Sequence, residues 1–156
     1  LPEGVRLILC DKGLDGDLVK GLDIYEAFVR DVDADVYILA HATSPFIEAA
    51  TIQRGVDAVL SGRHDSAFSA QRVQTFAWFG GRPVNYELGD VPRTQDIEPV
   101  WIETSAFYVF QKKVLARTHR RIGDKPFLVE VSGLEAIDID EREDYEMAMR
   151  MIGETA

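Results

Sequence analysis

Two hydrophobic rhythms alternate along the chain: short continuous apolar runs, and longer stretches where apolar residues return every three or four positions. The short run Val5 to Cys10 predicts a strand, and the turn-rich segment Asp11 to Asp17 follows it, with Gly13 and Gly16. A helix is predicted from about Asp17 to Arg30, with Leu18, Leu22, Tyr25 and Val29 on one face and Asp15 or Asp17 as its cap. Val36 to Ala40 is apolar throughout, the pattern of a strand covered on both faces in a parallel sheet. It runs into His41-Ala42-Thr43-Ser44-Pro45, and a second amphipathic helix follows with Ala49, Ile52, Val56 and Val59 inward. Strand, polar loop and helix make a βα unit. Ligands of open α/β sheets bind at the carboxyl ends of strands, which places the His41 to Pro45 loop where chemistry is expected.

Asp65 to Gln71 reads as the next strand. Phe76 to Phe79, Gly80-Gly81 and Arg82 to Tyr86 read as a hairpin with a Gly-Gly turn, an antiparallel excursion from the βα rhythm. Its aromatics suit a partner subunit or the chain's own core, and the pattern leaves both open. Gly89 to Pro99 is a loop, Ser105 to Phe110 a strand, Lys112 to Arg117 a short basic helix and Phe127 to Val131 a strand. Ile137 to Asp140 alternates like a strand, and Glu141 to Ile152 closes the chain as a helix with Tyr145, Ala148 and Ile152 inward. There is no internal repeat and no low-complexity segment.

Composition narrows the functional classes. The 156 residues suit one α/β domain, and 46% hydrophobic content supports a packed core. A net charge of −10 argues against non-specific nucleic-acid binding, which needs a basic surface. No apolar run approaches the ~20 residues of a membrane span. One cysteine, Cys10, excludes a disulfide within the monomer and fits a cytoplasmic location. The chain begins Leu1-Pro2-Glu3, with no secretory signal and no initiator Met, so residue 1 is not expected to be the natural start.

Asp138 and Asp140 alternate with Ile137 and Ile139, so a strand would put both carboxylates on one face, a seat suited to Mg2+ with substrate phosphates. Otherwise Asp140 caps the last helix and Asp138 is simply exposed. Arg93 is suited to clamp a carboxylate or phosphate, or is a solvated loop residue. Glu103-Thr104-Ser105 with Phe107 and Tyr108 suits a sugar pocket, or the aromatics belong to the core. Lys112, Lys113, Arg117, His119, Arg120 and Arg121 form a basic cluster, either a solvated face or a place to meet an anion. His41 is positioned to titrate or to donate to a substrate, or is an ordinary loop histidine. His64 and His119 have no partner visible in sequence. No Ser-His-Asp order, zinc spacing or dinucleotide glycine motif is present.

Several short segments follow one another in a specific order. These are His41-Ala42-Thr43-Ser44-Pro45-Phe46, Asp65 to Ser69, Gln74 to Trp78, Pro92-Arg93-Thr94-Gln95-Asp96 to Val100, Glu103 to Tyr108, Arg120-Arg121-Ile122-Gly123, and Glu135-Ala136-Ile137-Asp138-Ile139-Asp140. In this order, from about Asp35 to the C-terminus, the chain resembles the acylneuraminate cytidylyltransferase family. The resemblance implies a Rossmann-like nucleotidyltransferase, a three-layer α/β sheet with an inserted antiparallel hairpin over residues 72–100. It implies transfer of CMP from CTP to a 2-keto sugar acid, with Mg2+ as cofactor and release of pyrophosphate.

The resemblance makes Asp138 and Asp140 catalytic metal ligands. It places His41, Thr43, Ser44, Arg93, Gln95, Glu103, Phe107 and Tyr108 toward the substrates. It also implies a homodimer in which the hairpin reaches the partner's site and Arg93 acts across the interface. Members often carry Gln at the position of His41 and Leu-Arg at Phe46-Ile47, which leaves the sugar acid open among pseudaminic, legionaminic and other acids. The family's first strand and its glycine- and basic-rich phosphate loop have no counterpart in this sequence. An exposed sheet edge beside Val36 to Ala40 and weak activity of this 156-residue form are therefore expected. Two readings stand beside transfer from CTP: a non-catalytic dimerising or sugar-binding remnant of the fold, and an enzyme using another nucleotide.

Overall fold

The computed structural model describes residues 3–9, 11–14, 16 and 18–154, the last without its side chain. Helix α1 spans Gly21–Asp31, strand β1 Val36–Ala40, helix α2 Ala49–Leu60 and strand β2 Ser66–Val73. The hairpin strands are β3, Trp78–Phe79, and β4, Arg82–Pro83. Strand β5 covers Val100–Gln111, helix α3 Lys112–Thr118, strand β6 Pro126–Val131 and helix α4 Arg142–Glu154. The architecture is α/β: a four-stranded sheet in the order β1-β5-β2-β6, with the separate two-stranded ribbon β3-β4.

Strand β5 runs antiparallel to both β1 and β2, while β2 and β6 are parallel. Three strands therefore point one way with β5 threaded between two of them. The carboxyl ends of β1, β2 and β6 share one end of the sheet, the end where α/β proteins bind ligands.

Alternation along β5 builds three layers. Phe107 and Val109 pack with Val59, Ile52 and Val56 of α2 on one face. Tyr108 and Phe110 pack with Leu22 and Val29 of α1 and Leu115 of α3 on the other. Helix α2 approaches closely because Gly55 is buried, and a Cβ there would lie 3.0 Å from Phe107 Cε2. The strand covered on both faces is thus β5. Strand β1 lies at the sheet edge, as expected, but it is not the strand covered on both faces in a parallel sheet: its neighbour is antiparallel and its Ile38 is 50% exposed.

Several local expectations are corrected. Residues 5–9 form no strand, with Leu7 70% and Leu9 82% exposed, and Cys10 lies outside the described residues. Helix α1 starts at Gly21 after Lys20, so Leu18 precedes it and is solvent-exposed; Asp15 and Asp17 lie outside the described residues. Ala49 is exposed at the start of α2, where Thr51, Gly55 and Val59 are the buried residues.

On α4 only Ala148 of the predicted stripe is buried, whereas Tyr145 and Ile152 are about half exposed. Residues 137–140 are not a strand; they follow a 3-10 turn at Gly133–Ala136.

The Gly80-Gly81 turn carries φ values of +57° and +79°, the left-handed pair that a two-residue hairpin requires. The excursion from β2 to β5 is stapled by two amides. Gln74 Nε2 donates to the carbonyls of Thr94 (2.9 Å) and Ile97 (2.7 Å), and Asn85 Nδ2 donates to those of Thr75 and Glu98. Its aromatics pack on each other, with Phe76 on Tyr86 and the Trp78 indole N–H donating to the Tyr86 hydroxyl. Phe79 remains 82% exposed. Among the described residues no helix is long and apolar enough to cross a membrane.

Candidate functional site

The loop after β1 and the segment after β6 begin at opposite edges of the sheet and meet at its carboxyl end. Ile139 N–H donates to the Thr43 carbonyl at 2.8 Å, and Ser44 Oγ donates to Asp138 Oδ1 at 3.4 Å. Glu48 N–H, just before α2, donates to Glu135 Oε1 at 3.1 Å. Ser44 is 2% exposed, so its hydroxyl is held under the loop with a carboxylate as its acceptor. His41 is fixed at the loop entrance by its N–H to the Ala106 carbonyl of β5, 3.0 Å away. The structure therefore brings Thr43 and Ser44 to the Asp138-Ile139 segment, while His41 at the start of the same loop faces Tyr25 and Tyr108.

Asp140 is exposed beside this junction. Its side chain does not cap α4. The cap is Asp144, whose Oδ2 accepts the backbone N–H groups of Asp140 (3.2 Å) and Glu141 (2.9 Å). No group of three or more His, Cys, Asp or Glu side chains among the described residues is placed to hold a metal ion. Asp138 and Asp140 carry the hard carboxylate oxygens of the kind that could hold Mg2+, an ion that usually keeps several waters.

A second polar cluster stands on the α1 face next to His41. The Tyr108 hydroxyl donates to Glu103 Oε1 and contacts Ser105 Oγ at 3.2 Å, and Arg121 Nη2 donates to that hydroxyl at 2.9 Å. Arg121 Cζ lies 3.9 Å from the centre of the Tyr108 ring, and Arg121 Nη2 is 3.2 Å from Glu103 Oε1. Burial, reinforced by the Glu103 carboxylate, pushes the Tyr108 phenol up to about 12. The His41 and Tyr108 rings are 6.0 Å apart, and Tyr25 Oη sits 3.5 Å from His41 Nε2.

Strand β5 is irregular here. Phe68 pairs with Tyr108 but Ala70 with Glu103, so four residues of β5 oppose one of β2. Ser105 takes the left-handed φ of +59° inside this bulge, and the buried Thr104 Oγ1 has no hydrogen-bond partner among the described residues.

Other proposed site residues fall elsewhere. Phe107, expected toward a ligand, is 0% exposed and faces α2, so it is core. Tyr108 is 0% exposed and reaches the site only through its hydroxyl and its neighbours. Arg93 lies on an exposed loop in a two-bond pair with Asp96, at 2.7 and 3.1 Å, and Gln95 is exposed beside it.

The basic cluster is largely neutralised within the chain: Lys112 pairs with Asp33, Arg117 and Arg120 with Asp124, and His119 with Glu26. His64 packs its ring on Phe127, 5.1 Å away.

Sequence reasoning missed Asp65. It accepts the backbone N–H groups of Asp124 (2.9 Å) and Lys125 (3.1 Å), while Gly123 N–H donates to Ser66 Oγ at 2.8 Å. Burial works to raise the Asp65 carboxyl, but the N–H groups of Lys125 and Asp124 and the Ser66 hydroxyl together hold it below its ordinary value. These bonds fix the turn that carries Arg120 and Arg121.

No family model matches the chain. Among curated proteins it is similar to N-acylneuraminate cytidylyltransferase A of Danio rerio, at 29% identity over 145 residues, covering 87% of this chain and 34% of that protein. It is also similar to N-acylneuraminate cytidylyltransferase of Oncorhynchus mykiss, at 26% identity over 145 residues, covering 87% of this chain and 33% of that protein. The chain spans about a third of the length of these relatives.

Proposed function

We propose that this chain forms part of a cytidylyltransferase that transfers CMP from CTP to a 2-keto sugar acid and releases pyrophosphate. The observation that carries the proposal is the junction of Thr43-Ser44 with Asp138-Ile139 at the carboxyl end of the sheet. The similarity to two N-acylneuraminate cytidylyltransferases supports the same reading.

In this reaction the sugar's anomeric oxygen attacks the α-phosphorus and loses its proton. The bond from that phosphorus to the bridging oxygen breaks, and pyrophosphate leaves. Asp138 and Asp140 are the groups that would hold Mg2+, which neutralises charge developing on the phosphate oxygens. Two carboxylates with open positions suit an ion that keeps waters and binds substrate phosphates. Ser44 orients Asp138 through its hydroxyl, and the Thr43 carbonyl holds the following residue in place. His41 and Thr43 border the space where the substrates meet. Glu103, tied to Tyr108 and Arg121, stiffens the sugar side of that space.

Arg93 and Gln95 belong to the sugar-acid region, reached from the second subunit of a homodimer. The exposed Trp78, Phe79 and Val84 of the ribbon are the surface for that contact. The same exposed ribbon supports a second reading, a non-catalytic dimerising or sugar-binding remnant of this fold.

Pyrophosphate release by the full-length protein separates the two. Release that needs CTP, a 2-keto sugar acid and Mg2+ together, and that is lost in Asp138→Asn, supports transfer. Unchanged release in Asp138→Asn removes the metal assignment, and turnover with another nucleoside triphosphate but not CTP removes the nucleotide assignment. Sedimentation equilibrium of Phe79→Ser tests the dimer, which is expected to dissociate more readily than the wild type.

A further inference from the structure

The amino ends of β1, β2 and β6 carry a separate recess, at the opposite end of the sheet from Thr43 and Asp138. The five residues of β1, at about 3.3 Å each, separate the two ends. Two cavities open here. The first, about 600 Å³, includes Val36, Val59, Leu60, Ala116, Lys112 and Lys113 in its lining. The second, about 410 Å³, is lined by Asp65, Lys113, Val114, Arg117, Asp124 and Lys125. They adjoin at Lys113, so an apolar recess continues into a basic one. Leu60, on the apolar side, is 66% exposed.

The basic cluster is not fully neutralised at this end. Lys112 is matched by Asp33 at 2.5 Å, and the charge of Asp35 adds to that match. Asp124 is a single carboxylate shared by Arg117 at 3.0 Å and Arg120 at 2.6 Å. Asp65 uses its oxygens for the backbone N–H groups of Asp124 and Lys125 and for the Ser66 hydroxyl. None of the ion pairs among the described residues uses Lys113 or Lys125, and both side chains are exposed. Around the second cavity the cations Lys113, Arg117, Arg120 and Lys125 stand against only two carboxylates, Asp65 and Asp124. The local surplus is positive in a chain whose net charge is −10.

We propose that this groove docks an acidic segment of a protein partner. Its carboxylates meet Lys113, Arg117 and Lys125, and an apolar side chain between them lies on Leu60 and Ala116. Charge complementarity selects the class, since the unmatched cations are on one wall only. A long polyanion such as a nucleic acid is disfavoured, because the acidic remainder of the chain repels it beyond this patch. A free phosphate would leave the apolar recess empty. Ligands of α/β sheets bind at the carboxyl ends of the strands, so a partner seated at the amino ends leaves the candidate site open. The proposal is independent of transfer from CTP.

The test uses the full-length protein and the fluorescein-labelled peptide Asp-Glu-Leu-Glu-Asp, followed by anisotropy. The peptide Asn-Gln-Leu-Gln-Asn keeps the shape without the charge, and is expected to bind about 10-fold more weakly. Asp-Glu-Ser-Glu-Asp lacks the apolar side chain and is expected to lose about fivefold. Raising the salt about tenfold shortens the screening length about threefold and is expected to weaken the charged peptide most. Lys113→Gln is expected to cost about threefold and Lys113→Gln with Lys125→Gln about 10-fold, whereas Lys113→Arg keeps the affinity. Leu60→Ser is expected to cost about threefold, and Arg150→Gln, on α4, to leave binding within about 1.5-fold.

Equal binding of the charged and neutral peptides, no binding, or unchanged affinity in the double lysine variant overturns the proposal. So does tighter binding of a short oligothymidylate, which assigns the patch to nucleic acid. Displacement of the peptide by inorganic phosphate at equal concentration reduces the groove to a simple anion subsite and also overturns it. Unchanged binding in Leu60→Ser together with full binding of Asp-Glu-Ser-Glu-Asp removes the apolar contact on which the choice of a peptide rests. No arm measures pyrophosphate release, so a failed docking test and a failed transfer assay remain distinct results.

Discussion

Ser44 Oγ donates to Asp138 Oδ1 at 3.4 Å although 94 residues separate them. The contact ties the loop after β1 to the segment after β6, and it orients a carboxylate from beneath. Asp138→Asn keeps the shape but removes the charge that the proposed Mg2+ site would need. CTP-dependent pyrophosphate release by the full-length protein is expected to fall by on the order of 100-fold or more in this variant, since several kcal/mol of charge stabilisation are at stake. Ser44→Ala removes only the orienting bond, and a loss of about 10-fold is expected. Its signature is a higher Mg2+ requirement, measured by metal titration of the rate. A larger loss in Ser44→Ala than in Asp138→Asn contradicts the assigned roles.

Asp65 predicts a pH dependence of stability. Its folded-state pKa lies below the ordinary value of 3.8. The stabilisation is therefore complete above pH 3.8 and is lost as pH falls through the depressed folded value. Asp65→Asn is expected to be less stable than wild type at neutral pH, by about 1–2 kcal/mol for charge-assisted bonds at a partly exposed site. The gap should close under acid conditions, as read by urea unfolding across pH. Gly123→Ala should act at the same point, because a Cβ on Gly123 would overlap the Asp65 carboxylate. An acid-independent gap contradicts the account.

Local signals in the sequence translated well. The Gly80-Gly81 turn and the apolar stripe Ile52, Val56 and Val59 follow from nearby residues. Partnerships across long separations did not. Nothing near Val36 to Ala40 states that its neighbour is an antiparallel β5, because pairing is decided by residues about 70 positions away. The Ile-Asp alternation at 137–140 imitates a strand. Its backbone is instead committed to Thr43 and Asp144, so the alternation reflects a loop pinned at two points.

The loop at Thr43-Ser44 and the carboxylate of Asp138 stood out in the sequence by residue type, and the structure adds the contact between them. The roles of Asp65 and of Arg121 did not stand out, since their meaning depends on which distant groups they face.

Gly55 sets the distance between α2 and the sheet. Gly55→Ala gains about 1 kcal/mol of helix propensity. It also places a Cβ 3.0 Å from Phe107 Cε2 and 3.4 Å from the Ala67 Cβ and Val109 Cγ2. Overpacking of that kind costs about 1–3 kcal/mol, so a small net loss of stability is expected. Gly55→Val adds further bulk and loses more. Chemical denaturation measures both, and a stabilised Gly55→Val contradicts the packing.

Tyr108 gives the site a spectroscopic handle. Its phenol is pushed up from 10.0 to about 12, first by burial and then by Glu103, with Arg121 working in the opposite direction. The neutral phenol is the form the fold favours, so its contribution to stability is complete below pH 10.0 and is lost as pH rises through about 12. Absorbance of tyrosinate should therefore reveal one late phenol that is missing in Tyr108→Phe. Glu103→Gln removes a negative neighbour while leaving Arg121 in place, so the late phenol should titrate earlier. A Glu103→Gln variant whose late phenol titrates at the wild-type position contradicts the contact between the two side chains.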